Sequence, residues 1–258
     1  MSTLTSYTNA TRPSASSNSG LCIFNTDTDA INVSDGTSWL AYGNDGINYG
    51  ANNYSVALDG TDDRVEIGNI TSLNSTSAYS LSTWFKSSAT ITSTIDFFAS
   101  GNGYSAGLFF YLTSTGVDSG ADAAYLRYTG SLTDGNWKHL VTVYNGSSFV
   151  LYLNGSLVTT STNGTVPSSL SSSSGNGAVI GARVDASREF EGNMDDFAIF
   201  DSALTATEVS NIYNSAAYPE SKLQHLYRFE NNYNDTVGSN NGTAQGNPVL
   251  DNTTARPY

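Results

Sequence analysis

Apolar residues along this chain come in short runs set apart by Ser, Thr, Asn and Gly. From Tyr79, the residues Tyr79, Leu81, Thr83 and Phe85 alternate with Ser80, Ser82, Trp84 and Lys86. This period of two predicts a strand with one apolar and one polar face. Val56, Leu58 and the Val65-Glu-Ile run predict strands around an Asp59-Gly-Thr-Asp-Asp turn. Asn154-Gly155 lies between Phe149-Val-Leu-Tyr-Leu and Ser156-Leu-Val-Thr, and predicts a type I′ hairpin turn. The serine tract 168–174 predicts an exposed loop, and 178–182 and 197–200 predict further strands. One helix is expected, where Thr205-Ala-Thr-Glu forms a capping box ahead of an apolar stripe of Val209, Ile212 and Tyr213.

Nearer the N-terminus the pattern weakens. Residues 1–20 are polar and predict an arm that orders only against a neighbour. Residues 21–43 predict a small β-meander, with Leu21-Cys-Ile-Phe, Ala30-Ile-Asn-Val and Trp39-Leu-Ala-Tyr as strands. Cys22 reads as a small core residue of that meander. Three short strands are marginal by themselves, so they need the sandwich or copies of themselves to pack on. Residues 44–53 are rich in Gly and Asn and predict a linker.

Composition narrows the class. The 258 residues suffice for one large all-β core without disulfides, and the single cysteine excludes an internal one. A net charge of -13, with ten Lys and Arg, disfavours nucleic acid and anionic membranes as partners. No apolar run is long enough to span a bilayer, and residues 1–20 hold no apolar signal-peptide segment. The expectation is synthesis in a cytoplasm, with any extracellular role reached by another route.

Four runs carry a resemblance. Tyr54-Ser-Val-Ala-Leu-Asp-Gly-Thr-Asp-Asp-Arg-Val-Glu-Ile, Tyr79-Ser-Leu-Ser-Thr-Trp-Phe-Lys, Asp134-Gly-Asn-Trp-Lys-His-Leu-Val and Gly192-Asn-Met-Asp-Asp-Phe-Ala-Ile-Phe-Asp resemble, in order and wording, the laminin-G-like, concanavalin-A-like sandwich family. That resemblance implies an all-β sandwich over residues 54–258. The family's opening strand is displaced: Leu223-Gln-His-Leu-Tyr-Arg-Phe-Glu and the turn from Asn234 resemble it, yet they come last. Residues 223–258 then either close their own, circularly permuted sandwich or pair with a neighbouring subunit. A second stretch, from Arg12-Pro13 through Gly20 to Trp39, resembles a short module of bacteriophage fibre and capsid-associated proteins.

The resemblance also names candidate sites. Many relatives hold calcium in such loops, which makes Asp59, Asp62, Asp63 and Asp195, next to Asp196, the candidate ligands. The same side chains serve equally as turn formers. A sugar platform needs exposed aromatics, and Trp84, Tyr104, Tyr111 and Tyr125 are the candidates, each weighed against simple packing. His139 reads as framework. Enzymes on this fold use paired carboxylates. The Glu-x-Asp-x-x-Glu run typical of retaining members is absent, and Glu189 and Glu191 read as a solvated edge.

The expectation is a non-enzymatic structural protein of a bacteriophage virion, as capsid decoration, head fibre or tail fibre component. It would meet other virion proteins through its N-terminus, form a homo-oligomer, taken as a trimer, and show a lectin-like sandwich to a host glycan. The alternatives are a free-standing carbohydrate-binding or adhesion module, and a polysaccharide hydrolase or lyase.

Overall fold

The computed structural model describes residues 5–8, 11–25, 30–34, 39–42, 53–101, 107–215, 218–254 and 256. The N-terminal segment forms one sheet from β1 (Ser6–Tyr7), β2 (Cys22–Asn25), β3 (Ala30–Ser34) and β4 (Trp39–Tyr42), in that order. The arm is part of it: β1 runs parallel to β2, with Ser6 opposite Phe24. Ser34 Oγ donates to the Ala15 carbonyl at 2.9 Å, which ties the arm to its own meander. Cys22, expected inside, is exposed. The alternation along β2 buries Ile23 and Asn25 instead, and Asn25 satisfies its amide on Asn32 at 3.0 Å. Most of the expected linker, residues 44–52, lies outside the described residues.

The remaining chain runs β5 (Ser55–Asp59), β6 (Arg64–Gly68), β7 (Tyr79–Lys86), β8 (Ile95–Ala99), β9 (Leu108–Thr113), β10 (Gly116–Ala121), β11 (Ala124–Thr129), β12 (Lys138–Tyr144), β13 (Phe149–Leu153), β14 (Ser156–Leu157), β15 (Ser161–Asn163), β16 (Ala178–Ile180) and β17 (Glu191–Phe200). The helix α1 (Ala206–Ser215) follows, then β18 (Leu223–Tyr227), β19 (Thr243–Gln245) and β20 (Val249–Asp251). One sheet has the order β15-β11-β10-β9-β8-β16-β6-β19, and the other β14-β13-β12-β7-β17-β5-β20, with β18 also on β17. Between them lies the main core, including Val56, Leu81, Phe85, Phe97, Phe110 and Phe197. Asn154 and Gly155 take φ of 49° and 74°, the values a type I′ turn requires. The serine tract is only partly exposed, because Leu170 and Ser174 are buried.

Residues 223–251 pair with their own chain. Tyr227 of β18 lies opposite Phe197, β20 pairs with β5, and β19 pairs with β6 of the other sheet. A second apolar layer covers the outer face of the β7-containing sheet. Val209 and Ile212 of α1 pack there with Phe200, Leu204, Tyr218 and Leu226. The polar face of β7 is therefore not solvated: Ser80, Ser82 and Trp84 are all buried.

Candidate functional site

Register explains where candidate groups gather. In β9, Leu108, Phe110 and Leu112 point into the main core, so the alternate residues Phe109 and Tyr111 lie on the sheet's outer face. Across β8, β9, β10, β11 and β15 the pairings align Asp96, Tyr111, Asp118, Arg127 and Ser161 in one row. The adjacent row is Ala99, Phe109, Gly120, Tyr125 and Asn163. With strands ~4.8 Å apart, each row spans ~19 Å.

Phe109 stacks on Tyr111 with ring centroids 4.3 Å apart and sits 6.1 Å from Tyr125. Gly120, between Phe109 and Tyr125, offers no side chain; a Cβ there would come within 2.8 Å of the Tyr125 Cβ. Arg127 grips Asp118 through two hydrogen bonds, at 2.7 and 2.6 Å, and lies 5.5 Å from the Tyr125 ring centroid. That bidentate hold raises the Arg127 pKa, chiefly through the Asp118 hydrogen bond. Arg188 lies 5.5 Å from the Tyr111 centroid and 4.0 Å from Asp96. Each arginine thus has a carboxylate beside it, Arg127 in a bidentate pair and Arg188 beyond hydrogen-bond reach. Phe109 and Tyr111 are buried, while Tyr125 is half-buried and the Arg127 side chain is 44% exposed. The accessible groups of the face are therefore Tyr125 and Arg127 at one end and the partly exposed Arg188 at the other.

Two of the four expected aromatics, Tyr111 and Tyr125, come together here. Tyr104 lies outside the described residues. Trp84 is a correction: its ring stacks on Tyr213 at 5.4 Å, sits 4.9 Å from His139 and lies beneath the Arg256 guanidinium at 4.9 Å. The helix and the chain's tail cover it, so no sugar can stack on it. Phe109, Asp118 and Arg127 were not singled out from the sequence. Only the pairing of β10 with β9 on one side and β11 on the other aligns them.

The expected calcium ligands separate. Asp59, Asp62 and Asp63 bring carboxylate oxygens within 4.8 Å of one another. Hard carboxylate oxygens suit calcium. The same groups also build the turn: Asp59 accepts from the Thr61 N–H at 2.8 Å, and Asp63 accepts from the N–H groups of Asp59 and Asn247 at 3.0 and 2.6 Å. Glu191 lies opposite Asp59 in register. Asp195 is a correction, since it is fully buried beside Arg256 at 3.5 Å and stands apart from this cluster. Its neighbour Asp196 accepts from Tyr218 at 2.7 Å and Arg228 at 3.2 Å, and is also bonded by Arg256. Burial alone would raise the Asp196 carboxyl, but these arginines and the tyrosine hydroxyl hold it below the usual range. His139 is buried and bonds Ser82 at 2.9 Å.

Among solved structures, a proposed carbohydrate-binding protein from Bacteroides ovatus superposes with a TM-score of 0.61 at 13% identity, covering 77% of this chain. The chain spans 59% of that protein's length. A heptameric SAP-like pentraxin from Limulus polyphemus superposes with a TM-score of 0.52 at 16% identity, covering 77% of this chain and 94% of its own. At these identities the likeness shows a shared sandwich fold. No curated protein matches the sequence. The sequence pattern of one family does match, over residues 59–210, and together with the two-sheet sandwich it shows that the chain belongs to the concanavalin A-like lectin/glucanases superfamily.

Proposed function

We propose that this chain is a non-enzymatic glycan-binding sandwich that takes an uncharged polysaccharide, displayed on a bacteriophage particle through its N-terminal sheet. One observation carries the binding reading: the half-buried Tyr125 ring stands beside the Arg127–Asp118 pair on one sheet face, backed by the buried Phe109 and Tyr111 rings. Aromatic faces pack on the C–H faces of sugar rings, and bidentate polar pairs fix orientation. The pairing of Arg127 with Asp118 and the net charge of -13 favour a neutral glycan over an anionic one. The carbohydrate binding proposed for the Bacteroides ovatus protein agrees with this reading.

Glycan binding is tested by calorimetry with maltohexaose, cellohexaose and mannohexaose. Tyr125→Ala is expected to lower affinity at least tenfold while leaving the melting temperature within about 2 °C of the parent chain. Unchanged affinity in that variant removes the sheet face as the site. Reducing ends released from the same sugars, and lost in Glu191→Gln, would establish the hydrolase reading instead.

The virion placement rests on the resemblance of residues 12–39 to phage modules, and with it come virion-protein partners and a trimer. Stoichiometric recovery of the chain from purified particles is the expected outcome; its absence leaves a free-standing module. Calcium belongs to the reading only at Asp59, Asp62 and Asp63. Added calcium should raise the melting temperature of the parent chain and leave Asp62→Asn unmoved, and an unmoved parent removes the ion.

A further inference from the structure

Asp96 is fully buried, and among the described residues neither of its carboxylate oxygens has a hydrogen-bond partner. A buried acceptor left unpaired is costly, and retaining one calls for a reason. A β-bulge between Asp96 and Phe98 interrupts the pairing with β9. Bulges re-aim side chains and are common beside functional sites. Register places Asp96 next to Tyr111, at one end of the row that ends on Arg127 and Ser161. The cation beside it is Arg188, whose Nη1 stands 4.0 Å away, beyond hydrogen-bond reach. Two atoms at that separation can share one oxygen at ~2.8 Å from each, which suits a hydroxyl that donates to the carboxylate and accepts from the guanidinium. Arg188 sits at φ 58°, a strained backbone for a side chain of its size, and its side chain is 37% exposed.

We propose that Asp96 is the buried acceptor for a sugar hydroxyl on this face, with Arg188 as the cover that shifts to admit it and shares that hydroxyl. The inference rests on the glycan-binding reading. It adds the polar end of the site and its chemical demand, a ring whose free hydroxyl reaches past Tyr111.

Asp96 also makes binding depend on pH. Burial pushes its carboxyl up to about 7, against the charges of Arg188 and Arg183, while Asp185 and Glu189 push the same way as burial. Only the ionised form accepts the full charge-assisted bond, so affinity should rise with pH through about 7 and then level.

The test is calorimetry with the same three hexasaccharides from pH 5.5 to 8.5. Asp96→Asn, which removes a buried charge and keeps the shape, should bind about tenfold more weakly at pH 8 and lose the rise. If Tyr125→Ala weakens binding while Asp96→Asn keeps the parent affinity and pH profile, the Asp96 assignment fails alone and the gap holds only water. If the parent chain binds none of the three sugars, the face reading falls and takes this inference with it.

Discussion

His139 and Asp96 are both fully buried, and burial moves them in opposite directions. Burial, helped by the charge of Arg256, holds His139 down to about 3. Below about 6.5 the unfolded chain takes up a proton that folded His139 refuses. The stability it contributes is whole above that pH and is lost as pH falls towards 3. Across ~3.5 units at about 1.4 kcal/mol each, the loss reaches ~5 kcal/mol as an upper bound. Urea melts of His139→Gln between pH 3 and 7 should show a shallower acid-side fall than the parent, and an identical fall would clear His139 as its source. Asp96 runs the other way. Its raised pKa means that the folded chain holds the proton more tightly, so its cost appears as pH rises from about 4 to about 7. Asp96→Asn should therefore match the parent near pH 4 and exceed it at pH 8, by up to ~4 kcal/mol. A variant less stable at pH 8 would mean that the carboxylate has a partner in the fold. His139 was legible as framework only through the family resemblance, and Asp96 was not legible at all, because an isolated Asp does not reveal its burial.

At the scale of elements, local signals were readable wherever neighbouring residues decide the backbone. The capping box forms as the spacing predicts: the Thr205 N–H donates to Glu208 at 2.7 Å, and Thr205 Oγ1 accepts from the Glu208 N–H at 3.2 Å. Thr205→Ala should cost about 1 kcal/mol in chemical denaturation. The Asn154-Gly155 turn is equally local, yet its glycine has a second reason to be there. A Cβ on Gly155 would meet the Tyr213 ring at 2.8 Å, so the turn also seats α1. Trp84 shows where pattern reading stops. Period-two alternation assigned it correctly to the opposite face from Phe85, but alternation cannot say what covers that face. Here α1, His139 and Arg256 do. Arg256→Ala would leave Asp195 and Asp196 buried with less compensating charge, at a cost of about 3–5 kcal/mol. A loss under 1 kcal/mol would show that Arg228 and Tyr218 suffice for both.

For the whole molecule, the tail matters most. Residues 223–251 put β18 and β20 into one sheet and β19 into the other, so a chain ending at Ala217 lacks strands from both. Such a chain should lose cooperative unfolding, and a deletion that melts like the parent would show those strands to be dispensable. The short strands, the turn chemistry, the helix with its cap and the all-β class were determined by the sequence alone, because each depends on residues within a few positions of one another. Which strands pair, what covers Trp84, why Asp195 meets Arg256 rather than Asp59, and how Asp96, Tyr111, Asp118 and Arg127 line up were decided only by the tertiary structure. Sheet register brings together residues far apart in the chain, and a one-residue slip would turn every one of these side chains to the other face.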